Sequence, residues 1–303
     1  VNGIRTALSY AGFTEIREED PWQIERGGKY VVTRNGSALM AFTIPEDGGH
    51  AFRITASHGD SPSFKIKENP ELRDAAYVRL NVEGYGGMIM STWLDRPLSA
   101  AGRIIVSENG KLVSKLVNLD RTTLVIPSVA IHMDRTANGG HAWNIQQDLL
   151  PLYGTADDSL SFMDAVAAAA QVAPENILGH DLYLYSRIEG TLWGERHEFI
   201  SSARLDDLQC AFAAFRGFTA GKREEHICVY ALFDNEEVGS ATNQGAGATF
   251  LKNTLTRISR SLGYSYDETQ AMIARSFMIS ADNGHALHPN HGESVSYTHL
   301  TLP

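Results

Sequence analysis

Two periodicities compete along this chain, and where each prevails sets the elements it predicts. After an opening stretch with helical spacing, KYVVTRNGSALMAF places Asn35-Gly36 between two apolar runs. That is a strong short-range hairpin signal, because both residues tolerate the positive φ of a tight turn. AFRITASH follows as a strand ending in His58, and AYVRLNVEGYGG is again β-rich. From about Gly86 the texture changes: MIMSTWL, GRIIVSENGKLVSKLV and TTLVIPSVAIHM are short β-like runs separated by turn residues. The alanine-rich SFMDAVAAAAQV predicts a helix and DLYLYS a strand. After about Glu195 strands and helices alternate, in the order HEFISSA, LDDLQCAFAAFRGF, HICVYALF, TFLKNTLTRISRSLG and SFMIS. Alternation of this kind implies a parallel or mixed sheet covered by helices. The expected fold class is therefore α/β: a mixed-sheet domain with helices on both faces, built from 1–85 and 196–291. A β-rich insert at 86–195 interrupts it.

Four places put a carboxylate or histidine at, or just beyond, the end of an apolar strand, where α/β sheets build their sites. In SHGDSP, His58 and Asp60 lie two apart, on one face of an extended strand. An Asp so placed can accept the second ring N–H of a metal-bound His; a polar turn after a strand has the same appearance. In SSARLDDLQC, Asp206 falls between a strand and a helix, where it could equally be an N-cap. The sharpest signal is VYALFDNEEVGSATNQG, in which Asp234, Asn235, Glu236 and Glu237 directly follow a fully apolar strand. Adjacent carboxylates repel, so this doublet is costly unless cations neutralise it. One glutamate can ligate a metal while the other stays free as a base. Last, in MISADNGHALHPNH, Asp282 closes an apolar strand expected to be buried and precedes His285, His288 and His291. Histidine with carboxylates is a donor set suited to zinc, and two metals sharing a bridging carboxylate would activate water and clamp an oxyanion together.

Composition narrows the class. With 303 residues the chain is long enough for two domains. A net charge of −10 and a pI near 5.5, without a basic stripe, disfavour nucleic acid. No apolar run reaches the roughly 18 residues of a membrane span. VNGIRTALSY carries no signal-peptide pattern and no initiator Met, so the native N-terminus is expected to lie upstream. Two cysteines, Cys210 and Cys228, cannot build a disulfide framework, which suits a reducing cytoplasm. HExxH, GxSxG, the P-loop and a GxGxxG after a strand are all absent.

SHGDSP, YGG with STWLDRPLSAAGRI, IPSVAIHMDR, RLDD, FDNEEVGS and SADNGHALHPN occur here in an order that resembles the aspartyl aminopeptidases, a family that includes the vacuolar aminopeptidases. The resemblance runs from about residue 10 to residue 291. It implies a dinuclear zinc metallopeptidase that takes single residues, acidic ones by preference, from peptide N-termini. It implies that His58 and Asp282 bind one zinc, Glu237 binds a second and Asp206 bridges both. Glu236 would be the general base and Asp60 would orient His58. The insert resembles the family's dimerisation domain, and its His132 would reach a neighbouring subunit's site within a dodecamer built from dimers. Two departures stand out. Asp207 occupies a place where Asn is expected, a change read as mild. The chain also leaves the pattern at about Gly292, before the family's last zinc-binding His, so 292–303 reads as a non-native tail whose His299 is not nominated as a ligand. Related deblocking aminopeptidases with broader or neutral preference, and a non-catalytic assembly protein keeping the fold, are the alternatives. The carboxypeptidase-like deacylases fit less well, because their extra domain follows the Glu-Glu motif.

Overall fold

The computed structural model describes residues 1–157, 159–221 and 225–294, and the chain divides into two units, Val1–Ser61 with Arg204–Pro303, and Pro62–Ala203. The first unit opens with α1 (Asn2–Tyr10), β1 (Thr14–Glu15), β2 (Lys29–Arg34), β3 (Ala38–Thr43) and β4 (Phe52–His58). The second holds β5 (Ser63–Arg73), β6 (Tyr77–Tyr85), β7 (Leu98–Glu108), β8 (Lys111–Asn118), α2 (Ile145–Asp148), β9 (Leu152–Thr155), α3 (Phe162–Ala170), β10 (Ile177–Ser186), β11 (Thr191–Trp193) and β12 (Phe199–Ser201). The chain then returns to the first unit through α4 (Leu205–Ala220), β13 (Ile227–Phe233), α5 (Phe250–Ser261), α6 (Tyr266–Ala274) and β14 (Phe277–Ser280).

The first unit is a mixed six-stranded sheet in the order β1-β2-β3-β13-β4-β14. Asn35 and Gly36 make the β2–β3 turn at φ +50° and +69°, the conformation for which that pair is suited. β4, β13 and β14 run parallel, with Phe233 beside His58 and Ser280 beside Ala56, so all three strands end at the same edge. Parallel strands are covered on both faces and read as unbroken apolar runs; β13, with its two faces, shows why. Tyr230 and Leu232 pack with Leu8 of α1 and with Ala211 and Phe218 of α4. Ile227 and Val229 pack on the other face with Leu255 and Ile258 of α5 and Met272 of α6. Helices thus cover both faces of this sheet.

The second unit is an antiparallel sheet in the order β8-β7-β10-β5-β6-β9. Phe64, Ile66, Leu80, Val82, Ile104, Leu182 and Leu184 line its core, closed by Phe162 and Val166 of α3. No helix among the described residues is long and apolar enough to cross a membrane.

Three expectations need correction. The insert begins at Pro62 and ends at Ala203, because β5 and β6 pair within the second sheet instead of extending the first. The strand in HEFISSA is β12, which among the described residues pairs with β11 alone, in a separate hairpin. β14 is not buried: among the described residues it is an edge strand paired with β4 alone, and Phe277, Met278 and Ile279 are 62%, 47% and 54% exposed.

Candidate metal centre

The shared edge of β4, β13 and β14 gathers the acidic segments. His58, the last residue of β4, is 5% exposed. Its Nδ1 lies 3.2 Å from the Asp60 carbonyl oxygen and 3.3 Å from Asp60 Oδ1. With acceptors on that side, the ring proton belongs on Nδ1 and the Nε2 lone pair faces away. Nε2 points at three carboxylates, standing 3.5 Å from Asp206 Oδ1, 3.7 Å from Asp282 Oδ1 and 4.0 Å from Glu236 Oε2. Ligand atoms of His58, Asp206, Asp207 and Asp282 lie within 4.8 Å of one another, as do those of His58, Glu236 and Glu237.

Asp60 does more than face the ring. Its Oδ1 accepts the Glu236 N–H and its Oδ2 the Glu237 N–H, each at 3.2 Å. The loop so anchored is tightly wound: Asn235 at φ +60° leads into a short 3-10 turn, Glu236–Val238, closed by Gly239 at φ +96°. Asn tolerates that left-handed region better than most residues, and its Oδ1 accepts the Thr242 hydroxyl at 2.7 Å. Gly245 is required because a Cβ there would collide with the Ser240 carbonyl oxygen. On the other side, Ser61 Oγ donates to the Asp206 carbonyl at 2.7 Å and holds the start of α4, where the Asp206–Asp207 peptide is cis.

The electrostatics follow from crowding. Burial pushes the His58 imidazole down, but the hydrogen bond to Asp60 and the charges of Asp207, Asp60 and Glu236 outweigh it and raise the pKa to about 9. Burial, reinforced by Asp60, Glu236 and Asp206 against the opposing His58, raises Glu237 to about 7. Burial and the neighbouring Asp282 raise Asp206. Without a cation, the raised pKa of His58 lets its proton offset part of the surrounding negative charge, and a dication can take over that role. The spacing fits such an ion. Ligands about 2.0–2.1 Å from a tetrahedral zinc stand about 3.3 Å apart, so the observed 3.5 and 3.7 Å need only a small contraction.

Of the residues singled out from sequence, His58, Asp60, Asp206, Glu236, Glu237 and Asp282 come together. Asp234 joins no metal-ligating group among the described residues. His285, His288 and His291 are exposed, with the rings of His288 and His291 5.0 Å apart and tilted by 44°, and the His291 ring beside Glu293. His132 lies in the second unit, exposed between exposed Ile131 and Met133. His299 falls outside the described residues.

Sequence reasoning undervalued Asp207. It is 0% exposed, its Oδ2 accepts the His58 backbone N–H at 3.3 Å, and its Oδ1 accepts Asn283 Nδ2 at 3.4 Å. Burial raises its pKa. The signal available was adjacency: Asp207 follows Asp206 and Asn283 follows Asp282.

The family profile described as aminopeptidase I zinc metalloprotease (M18) matches residues 1–302. A probable M18 family aminopeptidase 2 of Clostridium acetobutylicum is 44% identical over 304 residues, spanning 97% of this chain and 70% of that protein. A solved structure of mApe1 from Chaetomium thermophilum superposes with a TM-score of 0.89 at 31% identity, covering 98% of this chain and 74% of that one. The Ape4 chain of a complex with Nbr1 gives 0.92 at 33% identity, covering 98% of this chain and 62% of that one. The S. cerevisiae mApe1 dodecamer gives 0.84 at 27% identity, covering 100% of this chain and 72% of that one.

Proposed function

Because this chain belongs to the M18 family of aminopeptidase I zinc metalloproteases, we propose that it contributes the catalytic centre of an aminopeptidase that releases single N-terminal residues from peptides. The observation that carries the reading is the His58 Nε2 aimed at Asp206, Asp282 and Glu236 within 4.0 Å. His58, Asp206 and Asp282 would hold one zinc, and Glu237 with the shared Asp206 would serve a second. Bound zinc supplies Lewis acidity, lowering the pKa of water and polarising the scissile carbonyl.

The remaining work falls to side chains. Asp60 keeps the His58 proton on Nδ1, so that Nε2 stays a donor of its lone pair. Glu236, with a side chain 47% exposed, accepts the proton of the attacking water and delivers it to the leaving amine. A preference for acidic N-terminal residues is supported by the resemblance to aspartyl aminopeptidases. Assembly through the 62–203 unit into dimers and then a dodecamer is supported by the dodecameric S. cerevisiae relative. In that assembly His132 would contact substrate in a neighbouring subunit. A chain with only two cysteines suits the cytoplasm.

Ligand counting sets the test. This chain supplies three ligands to one metal and two, one of them shared, to the other. The 303-residue chain should therefore bind one zinc tightly, measured by metal analysis after dialysis. The full open reading frame should release N-terminal Asp or Glu, stop when chelated and recover with zinc. Turnover that survives exhaustive metal removal refutes the reading.

A further inference from the structure

We propose that His141 is a positioning residue whose ring latches the turn carrying His132 to the sheet of the second unit. The proposal takes its functional meaning from the reading of His132 as a group that acts in a neighbouring subunit's site; the latch itself is a property of this chain. His132 lies in an exposed turn, closed by the Met133 and Asp134 N–H groups donating to the Ala130 carbonyl at 2.8 and 3.2 Å. Upstream the segment is fixed at Ser128, whose backbone N–H and Oγ donate to Asp95 Oδ1 and Oδ2 at 2.9 and 2.6 Å. Downstream, His141 closes it. Its Nδ1 stands 3.7 Å from Asp134 Oδ2, in the turn itself, and its Nε2 stands 3.3 Å from Asp148 Oδ2, in α2. That helix is anchored, because Gln146 Nε2 donates to the Val82 carbonyl of β6 at 2.7 Å and Ile145 packs against the core of the unit. The His141 ring also lies 4.4 Å from the ring of Trp143, which packs against the same core. One imidazole therefore joins the exposed turn to an anchored helix.

The chemistry of the pair makes the latch depend on charge. Among the described residues, Asp134 and Asp148 are the charged groups paired with the ring, one at each nitrogen. The Thr136 hydroxyl chiefly holds Asp134 below the usual carboxylate range, and the Asn144 N–H does the same for Asp148, with His141 adding to each. Both are therefore ionised at neutral pH, and an ionised carboxylate only accepts. An imidazolium donates from both nitrogens, whereas a neutral ring has one donor and one lone pair. Losing the proton leaves one aspartate facing a lone pair, and attraction there becomes repulsion. The three side chains are 34%, 29% and 28% exposed, so solvent keeps the effect modest.

Hydrogen exchange of the 303-residue chain reads the latch at the amides of Met133, Asp134 and Thr136, all bonded within this segment. Their protection factors, which divide out the intrinsic pH dependence of exchange, should fall about two- to fivefold between about pH 5.5 and about pH 8, across the imidazole range. His141→Gln, which carries no charge, should show the loosened value at both ends. His141→Arg, charged throughout, should show the protected value at both. A ring that merely fills space gives a flat profile in the unsubstituted chain and no difference between the two variants, and that result overturns the latch. Protection in His141→Gln equal to that of the unsubstituted chain at the acid end overturns it as well. Circular dichroism confirms that each variant is folded, and the profile of the unsubstituted chain decides the matter even if a variant is not. In the assembled enzyme, His141→Gln should lower kcat in the same direction as His132→Phe. Normal kinetics in His132→Phe beside a loosened turn in His141→Gln overturns the reading of His132 and leaves the latch standing. A kcat lowered by His132→Phe but untouched in a loosened His141→Gln overturns the positioning role.

Discussion

Replacing Asp60 by Asn changes one atom in a side chain that is 7% exposed, and the structure sets the size of the effect. Three donors face this carboxylate: His58 Nδ1 and the Glu236 N–H at Oδ1, and the Glu237 N–H at Oδ2. An amide with its oxygen in the Oδ1 place keeps two of them and turns an NH2 on the Glu237 N–H. The flipped amide sets its NH2 against two donors, so the first orientation prevails. Losing one hydrogen bond to a charged acceptor is worth about 1.5–3 kcal/mol, equivalent to about 10- to 100-fold in an equilibrium constant. Part of that cost loosens the Glu236–Glu237 loop whether or not metal is present, and only the remainder is expressed on loading. Zinc affinity in Asp60→Asn should therefore fall by roughly tenfold, and in Asp60→Ala, which strips both acceptor oxygens, by about 100-fold. Chelator competition on the folded variants reads both. If both variants bind zinc within twofold of the parent chain, Asp60 neither orients His58 nor anchors the loop.

Glu236→Gln should retain zinc while kcat of the full enzyme falls by about 10²-fold or more; Glu237→Gln should instead weaken metal binding. Equal metal loss in the two, with no separate defect in turnover, would reverse their assigned roles. In the assembled enzyme His132→Phe should lower kcat with zinc content and particle size unchanged, and normal kinetics would make His132 ordinary insert structure. Burial, then the hydrogen bond to Asp207 and the surrounding carboxylates, push the Cys210 thiol up to about 12. Alkylation needs the thiolate, which an ordinary cysteine with a pKa near 8.5 forms readily at pH 8. In the zinc-free chain Cys210 should accordingly react about 10³-fold more slowly than a free thiol at pH 8 and speed up as pH rises, and rapid labelling, located by peptide mapping, would contradict that burial.

Local pattern carried the first unit of this molecule a long way. The Asn35-Gly36 turn, the apolar run of β13 and the carboxylate doublet after it are written in residues close in sequence, and each took the expected form. His58 and Asp60, two residues apart where β4 ends, also stand side by side, 3.3 Å from Nδ1 to Oδ1. What pattern left open depends on which distant segments meet. β5 and β6 read as strands of the first domain because alternation identifies a strand but not its neighbour, and their pairing with β10 and β9 assigns them to the second unit. β14 reads as buried because it is apolar, yet burial requires a covering partner, and it lies at the edge of its sheet. Asp207 is the sharpest instance. Beside Asp206 it looks like a mild exchange for Asn, and nothing local distinguishes the two. Only when β4 brings the His58 N–H, and the segment after β14 brings the Asn283 amide, does that buried carboxylate meet these distant donors. Their meeting is what allows a fully buried polar side chain at all, because a buried polar group left without partners costs far more than the bonds it makes.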